Sequence, residues 1–297
     1  MSYAELRSNP IHTPTTLAEF GSIITKNPEA VLWAGGTYLM SRPNFYPSDE
    51  MVDVIDLSKM AELQRITRTD RFVDIGSMIN VAQLADTGRL ILPPLLLEAL
   101  LSIGSTVLRR QITIGGCLCI PDYRLAIPTA LSVLDTMAEM RLYLKSGRSS
   151  TKWVPISRLY DKEGKLVNQE GRFILTHIRV GLEYSNYQKF LIAGEPMHKP
   201  AETVIIAFQA ERNTSSLGKV QMTITFPNMA FFINKEVIGQ LTGITLPIMP
   251  TQIRQVTGTL KSELQKAYPN IGPLQLARAL RMFESILYDI NTLYLQS

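Results

Sequence analysis

Cysteine is nearly absent from this chain, since Cys117 and Cys119 are the only two among 297 residues. A single intervening residue leaves them too close in sequence for an easy disulfide, so the chain has no framework of cross-links. Two thiols without another cysteine cluster also cannot complete a closed zinc or iron–sulfur site, and we predict no metal site. We interpret both cysteines as buried small hydrophobic residues of a reduced, cytoplasmic protein.

Long apolar runs and a polarised charge pattern are also missing. Ile91–Leu97, among the longest apolar stretches, is too short to span a bilayer and is interrupted by two prolines, and the first residues lack the apolar core of a secretory signal. The net charge is +4, but lysine and arginine are scattered. Their densest groups, Arg109-Arg110 and Lys145–Lys152, carry no interleaved aromatic residues, which argues against nucleic-acid binding. The mild positive excess suits anionic phosphates or an acidic partner subunit.

The histidines give no catalytic pattern. His12, His177 and His198 belong to no HExxH or triad-like arrangement. His177 lies in a predicted strand, and we interpret it as a satisfied core or interface residue. No side chain has the setting of an acid, a base or a nucleophile, so we predict no catalytic residue.

The first 60 residues or so predict an α/β unit. A capping box of Thr16 and Glu19 opens a helix with one apolar face. Short strands are predicted at Val31–Ala34 and Met51–Leu57. The glycine pair that follows the first strand would lie at its carboxyl end, where open α/β sheets bind ligands.

A second block begins around Glu62 and mixes strands with short helices. Its predicted elements are a strand at Arg71–Gly76, helices at Asn80–Asp86 and Pro93–Gly104, a β-branched run at Gln111–Gly116, a helix at Pro128–Leu134 and a strand at Glu139–Leu144.

The pattern changes after Trp153. Four strands are predicted at Arg172–Val180, Ser185–Ala193, Ala201–Asn213 and Lys219–Phe226, and then helices at Lys235–Leu241, from Thr251 and from Gly272-Pro273. A polar turn at Asn213–Gly218 makes the last two strands a hairpin. The last helix carries an apolar stripe, which we interpret as intramolecular packing. The pattern therefore predicts an α+β protein, with a second domain from about residue 165.

Two glycine pairs, AGGT at Ala34–Thr37 and TIGG at Thr113–Gly116, each follow a β-branched or apolar run. Either pair marks only a turn or a bulge, or it exposes backbone amides to an anion. Neither is a GxGxxG or a Walker A sequence. A diphosphate has two phosphoryl groups, so two such loops that converge in space could hold one dinucleotide.

Three longer segments carry a family resemblance: WAGGTYLM, DIGSMINVAQLAD and TVLRRQITIGGCLC, in this order. They resemble the AGGTDLL, RIGA and IRNxATIGGN motifs of the FAD-binding subunit of molybdenum hydroxylases. That family includes the medium subunit of carbon monoxide dehydrogenase and the flavin domain of xanthine dehydrogenase. VLDTMAEMRLYLKSG, WVPISRLY, ILTHIRV and SNYQKF extend the likeness over nearly the whole chain.

The resemblance implies an architecture and a function. It implies a two-subdomain PCMH-type FAD-binding domain at residues 1–165, with subdomains of about 1–60 and 61–165, and a C-terminal flavoprotein domain of the carbon monoxide dehydrogenase type at 166–297. The chain would be an electron-transfer subunit that cannot oxidise a substrate alone, because redox chemistry belongs to the flavin. It would take electrons from a [2Fe–2S] subunit and a molybdenum-cofactor subunit and pass them to NAD+ or another acceptor.

The resemblance also assigns candidate FAD contacts. Two loops would grip the pyrophosphate: Ala34, Gly35, Gly36, Thr37 and Tyr38 in one, and Thr113, Ile114, Gly115, Gly116 and Cys117 in the other. Leu175 and Lys189 match residues near the flavin, and Tyr187 either stacks on the ring or fills the domain junction. Arg109 matches a family arginine and is equally consistent with a surface ion pair.

Several positions depart from the family pattern. Tyr38 replaces a common aspartate, and Arg110 and Cys117 replace asparagines. The family's SPxxD run is replaced by CIPDYRLAIP, in which Asp122 is the nearest carboxylate but is out of register. These departures favour an alternative, a non-catalytic scaffold or assembly relative that has lost cofactor contacts. A third possibility is nucleotide binding without redox chemistry.

Overall fold

The computed structural model describes residues 10–41, 52–120, 126–144, 146–161, 163–167, 171–183, 185–195, 199–227 and 229–295. Asp122, His198 and the first residue of the strand predicted at Met51–Leu57 lie outside these ranges.

The amino-terminal unit is a small parallel sheet covered by one helix. Its elements are β1 (Ile11–His12), α1 (Leu17–Lys26), β2 (Val31–Trp33), α2 (Thr37–Ser41) and β3 (Val54–Asp56), with strand order β1-β3-β2. Thr16 caps α1 as predicted, because its hydroxyl accepts from the Glu19 amide. The Glu19 carboxylate accepts from the Thr15 amide rather than from Thr16, so only half of the predicted capping box forms. Phe20 and Ile24 bury the apolar face of α1.

The middle of the chain forms a five-stranded antiparallel sheet with helices packed on it. Its elements are β4 (Ile66–Arg68), β5 (Phe72–Gly76), α3 (Val81–Asp86), α4 (Pro94–Leu101), α5 (Thr106–Gln111), α6 (Ile114–Cys119), α7 (Ala126–Val133), β6 (Met137–Tyr143), β7 (Ser149–Pro155) and β8 (Arg172–Gly181). The strand order is β4-β5-β8-β6-β7. Of these five strands, β8 comes last in the sequence, yet it lies at the centre of the sheet.

The β-branched run at Gln111–Gly116 is not a strand, and this prediction was wrong. Thr113 is the N-cap of α6, and both glycines of TIGG lie inside the first turn of that helix. Local β propensity is overridden because the Thr113 hydroxyl accepts from the Gly116 amide at 3.1 Å and so starts a helix there.

The carboxyl-terminal part has its own sheet and core. Its elements are β9 (Tyr187–Ala193), β10 (Val204–Arg212), β11 (Leu217–Thr225), α8 (Lys235–Leu241), α9 (Pro250–Ala267) and α10 (Pro273–Leu295), with antiparallel strand order β11-β10-β9. The predicted hairpin between the last two strands is confirmed. The stripe on α10 packs inside this core, with Phe283, Leu287 and Ile290 fully buried, as predicted.

Specific contacts fix these parts against each other. Tyr143 of β6 stacks edge-on against Phe20 of α1 with ring centroids 5.3 Å apart, and its hydroxyl donates to the Leu17 carbonyl. On the other side, Thr129 of α7 shares a buried 2.7 Å hydrogen bond with Thr225 of β11. The α+β class is confirmed. The boundary near residue 165 stays a prediction, and β8, which follows it, hydrogen-bonds to β5 and β6, which precede it. None of the helices in the described ranges is both long enough and apolar enough to cross a bilayer.

Candidate functional site

The two glycine loops meet, and the predicted convergence is confirmed. Gly35, after β2, lies against the backbone between α5 and α6: a Cβ atom built on Gly35 would sit 1.8 Å from the Gln111 carbonyl oxygen. Gly36 has a φ of +69°, a left-handed conformation that favours glycine, and its α-carbon faces the Trp33 ring. Glycine is therefore required at both positions, in the first case by close approach and in the second also by backbone conformation.

The first loop presents unused backbone donors. Gly36 precedes α2, and its carbonyl accepts from the Met40 amide, which closes the first turn of the helix. The amides of Gly35, Gly36 and Thr37 donate to no oxygen of a described residue. Helix-opening amides of this kind need an acceptor, which is either water or an anionic ligand.

The second loop differs, because its amides are already bonded within the protein. Ile114 donates to the Ile79 carbonyl at 2.9 Å, Gly115 to the Ser77 carbonyl at 2.8 Å and Cys117 to the Thr113 carbonyl at 3.0 Å. Gly115 packs so tightly that a Cβ atom would lie 2.7 Å from the Ser77 Cβ. Here Gly115 allows α6 to pack against the loop after β5.

Thr113 is the member of the second loop that keeps a polar group for a ligand. Its hydroxyl oxygen accepts from the Gly116 amide, so the hydroxyl proton remains free to donate elsewhere. The side chain lines the space beside the first glycine loop. The second loop can therefore contribute a hydroxyl donor rather than a row of amides.

The loops border a cleft of about 530 Å³, within the usual range for small-molecule and cofactor sites. Arg110 supplies the only charged side chain among its described lining residues, and the guanidinium makes no ion pair with another described residue. A second space of about 240 Å³ lies along the same loops and is bordered by Tyr38 and Cys119. The electrostatics suit a ligand that carries negative charge at the loops.

Sequence reasoning missed part of the wall of the larger cleft. Ser58, Gln64, Asn80 and Gln83 contribute hydroxyl and amide groups to it. Asn80 and Gln83 form a full capping box at the start of α3, which orients both side chains. The Asn80-x-x-Gln83 spacing was a readable helix signal, but nothing in it pointed to a ligand.

The predicted contacts divide into two groups. Ala34, Gly35, Gly36, Thr37, Tyr38, Thr113 and Gly116 line one or both spaces. Ile114 and Leu175 are buried in the central core, Cys117 packs against that core, and Gly115 is buried against Ser77. The described cavity walls include none of the second group.

Tyr187 and Lys189, on β9, are bonded to Asp289 of α10. The Tyr187 hydroxyl donates to the Asp289 carboxylate at 2.9 Å and the Lys189 ammonium donates to the same oxygen at 3.1 Å. Burial, followed by the hydrogen bond to Asp289, raises the pKa of Tyr187 far above its usual value. Tyr187 is buried in the carboxyl-terminal core against α10, which places it inside the predicted second domain rather than at the predicted domain junction. Flavin contacts of both residues remain a prediction.

Arg109 makes no ion pair with a described residue. Its guanidinium donates to the carbonyls of Leu101, Ile103 and Gly104 at 3.0–3.1 Å, at the carboxyl end of α4. Helix-terminal carbonyls lack intrahelical partners, so an arginine fork there acts as a cap. The surface ion pair is therefore wrong for the described part of the chain.

The cysteines and His177 can be placed as well. Cys117 is partly buried, and burial raises the pKa of its thiol to about 12. Cys119 is exposed, so the expectation that both would be buried was wrong for this residue. The Nδ1 atom of His177 donates to the Glu139 carboxylate at 2.9 Å on the face of the central sheet, as expected of a satisfied residue. No cluster of three or more metal-ligating side chains occurs among the described residues.

Comparison with known proteins gives one family match. The model of the FAD binding domain in molybdopterin dehydrogenase matches residues 5–181, more than half of the chain. The putative xanthine dehydrogenase FAD-binding subunit XdhB of Escherichia coli (strain K12) is 29% identical over 159 residues, which are 52% of this chain and 52% of that protein. The xanthine dehydrogenase FAD-binding subunit of Escherichia coli O157:H7 matches to the same extent. The chain thus spans about half the length of the curated relatives it matches.

Solved structures share the fold over nearly the full length. Quinoline 2-oxidoreductase from Pseudomonas putida 86 superposes with a TM-score of 0.77 at 14% identity, over 97% of this chain and 99% of that chain. Reconstituted CO dehydrogenase from Oligotropha carboxidovorans gives a TM-score of 0.75 at 17% identity, over 94% and 95%. Identities this low demonstrate a common fold and nothing finer. The fold class predicted from the motifs is confirmed.

Proposed function

This chain belongs to the family of FAD-binding domains of molybdopterin dehydrogenases, and we propose that it is the flavin-carrying electron-transfer subunit of an oxidoreductase complex. Electrons enter from [2Fe–2S] clusters on a partner subunit and leave to NAD+ or another acceptor. Substrate oxidation belongs to a molybdenum-cofactor subunit, so this chain alone does not turn over substrate.

The observation that carries the proposal is the first glycine loop. Three adjacent amides of this loop have no acceptor among the described residues, and they border the larger cleft. Among the described residues that line this cleft, Arg110 is the only charged one. Amides of this kind and a guanidinium are the groups that proteins use to hold phosphate oxygens. The residues present therefore fit the diphosphate of a dinucleotide.

The parts of the site have distinct roles in this proposal. The amides of Gly35, Gly36 and Thr37 donate to the diphosphate, the Thr113 hydroxyl adds a donor from the opposite loop, and Arg110 supplies the compensating charge. The amides of the second loop donate to protein carbonyls and are not available to a ligand. The guanidinium of Arg110, which replaces a family asparagine, supplies donors in their place. FAD, when bound, supplies the redox chemistry, so no side chain needs to act as acid, base or nucleophile.

The remaining assignments belong to the same proposal. They are a cytoplasmic location, a division into FAD-binding residues 1–165 and carboxyl-terminal residues 166–297, and flavin contacts from Leu175, Tyr187 and Lys189. They rest on the motif resemblance. The kinds of partner are also supported by the carbon monoxide dehydrogenases among the solved relatives.

A second candidate is a scaffold subunit of the same family that has lost its cofactor. Two observations favour it: the second-loop amides are bonded within the protein, and Lys189 is paired with Asp289. Under this hypothesis the purified protein is colourless and does not bind added FAD.

The deciding experiment is an absorbance spectrum of the purified chain, followed by titration of apoprotein with FAD. We expect a flavin spectrum that survives gel filtration, and at least about tenfold weaker FAD binding in Arg110→Gln, because a charge-assisted hydrogen bond is lost. Arg254→Gln is the matched control, since Arg254 is an exposed cation of α9 that lines neither glycine-loop space. Colourless protein that remains apo at high FAD concentration would establish the scaffold alternative. Tight ADP binding without a reducible flavin would indicate a nucleotide site without redox function.

A further inference from the structure

We propose a second ligand site between α1 and the β6–β7 hairpin, which binds the phosphoryl group of a small phosphate monoester. The site is a cavity of about 330 Å³, and it shares no described lining residue with the two spaces beside the glycine loops. It is therefore independent of the proposed FAD function.

The shape of this cavity follows from the way α1 packs on the central sheet. Gly21 brings the helix against Tyr143, since a Cβ atom there would lie 2.6 Å from the Tyr143 ring. The helix comes this close to the Tyr143 ring because residue 21 has no side chain. The cavity is lined by the adjacent residues of the helix and the hairpin.

The charges that line the cavity are all positive among the described residues. Lys26, in the last turn of α1, and Arg141, in the middle of β6, face the cavity from opposite walls. Neither forms an ion pair with a described residue. Glu62 is an acidic residue close enough to affect the Tyr143 hydroxyl electrostatically, but it does not line the cavity. Its carboxylate accepts a hydrogen bond from the Leu17 amide.

Arg141 carries the clearest sign of an absent acceptor. Its Nε atom is buried and has no hydrogen-bond partner among the described residues. A buried donor on a charged group is costly to leave unpaired, so such a group normally has an acceptor. The guanidinium also sits over the Tyr143 ring, 5.7 Å from its centroid, which limits the directions it can take.

The other lining groups select the ligand chemistry. Ser22 and Ser149 add hydroxyl donors from the two walls, while Leu17, Ala18 and the Tyr143 ring supply apolar surface. A planar guanidinium, an ammonium and hydroxyls together suit a tetrahedral dianion, since arginine can bind two phosphate oxygens at once. The apolar wall and a volume larger than one phosphate needs favour a monoester over the free ion.

The test is isothermal titration calorimetry with phenyl phosphate and with inorganic phosphate, in chloride buffer containing excess FAD to fill the glycine-loop cleft. We expect the monoester to bind wild-type protein more tightly than inorganic phosphate does. Arg141→Gln and Lys26→Gln should each weaken monoester binding by about tenfold or more. Arg254→Gln should leave it unchanged.

Each other outcome overturns the proposal. The proposal is wrong if phenyl phosphate gives no binding heat, or if inorganic phosphate binds as tightly as phenyl phosphate does. It is also wrong if folded Lys26→Gln binds phenyl phosphate with wild-type affinity. Lys26 lies at the surface end of α1, so that variant tests the site even where Arg141→Gln fails to fold. Unchanged FAD absorbance in both variants would show that the effect does not arise in the glycine-loop cleft.

Discussion

The contact between Gly35 and Gln111 makes a strong prediction about a single methyl group. Gly35→Ala places a Cβ atom 1.8 Å from a backbone oxygen, and contacts under 3.0 Å are essentially never seen, so the two loops must separate by about 1.2 Å. The neighbour is backbone rather than a flexible side chain, and it cannot rotate away. Overpacking of this kind costs about 1–3 kcal/mol and occasionally more.

The expected result is a combined loss of stability and binding. A cost of about 3 kcal/mol corresponds to a melting temperature lowered by roughly 6–12 °C in a protein of this size class. The same displacement moves the first-loop amides away from Thr113, so FAD should bind at least about tenfold more weakly. Differential scanning calorimetry and FAD titration of the apoprotein measure the two effects.

Gly258→Ala provides the matched control. Gly258 lies within α9, and a Cβ atom added there would have nothing within 4 Å, so alanine should be neutral or stabilise the helix by about 0.5–1 kcal/mol. If Gly35→Ala melts and binds FAD like the wild type, the two loops do not touch as described. The convergence on which the proposed cofactor site depends would then be refuted.

Three further predictions concern single side chains. Thr113→Val should lower the free energy of unfolding by about 1 kcal/mol because α6 loses its cap, and Thr113→Ser should restore it in a denaturant titration. Arg109→Gln should lower the melting temperature and leave FAD affinity unchanged, whereas Arg110→Gln should weaken FAD binding and leave the melting temperature unchanged. Weaker FAD binding in a stable Arg109→Gln protein would contradict the assignment of Arg109 as a helix cap. Burial raises the pKa of Tyr268 to about 12, so the unfolded chain loses that proton first and stability should fall as the pH rises above about 10. Tyr268→Phe should flatten this fall in unfolding curves measured from about pH 8 to 11, and an unchanged slope would contradict the linkage.

Most of the fold could be predicted because its elements carry strong local signals. The apolar face of α1, the proline that opens α4, and the stripe on α10 each specify an element without reference to the rest of the chain. Gln111–Gly116 shows the limit of such reasoning. Its β-branched residues favour a strand, and only contacts with Ser77, Ile79 and the Thr113 cap make it helical.

The candidate site was predictable in position but not in detail. The glycine pairs indicated where backbone approaches backbone, and the structure brings them together. The sequence could not show that the second pair serves helix packing, since that depends on which amides already have acceptors. Arg109 and Arg110 are neighbours on one short helix, and only the direction of each side chain separates a structural cap from a cleft cation.

The central place of β8 has a consequence for synthesis on the ribosome. Strands β4 and β5 emerge early and β6 and β7 later, yet the two pairs have no bridge until Arg172–Gly181 inserts between them. Until then, both pairs expose an inner edge with unpaired backbone groups, which is a template for wrong pairing. Completion of this sheet therefore awaits a segment well beyond both glycine loops in the sequence.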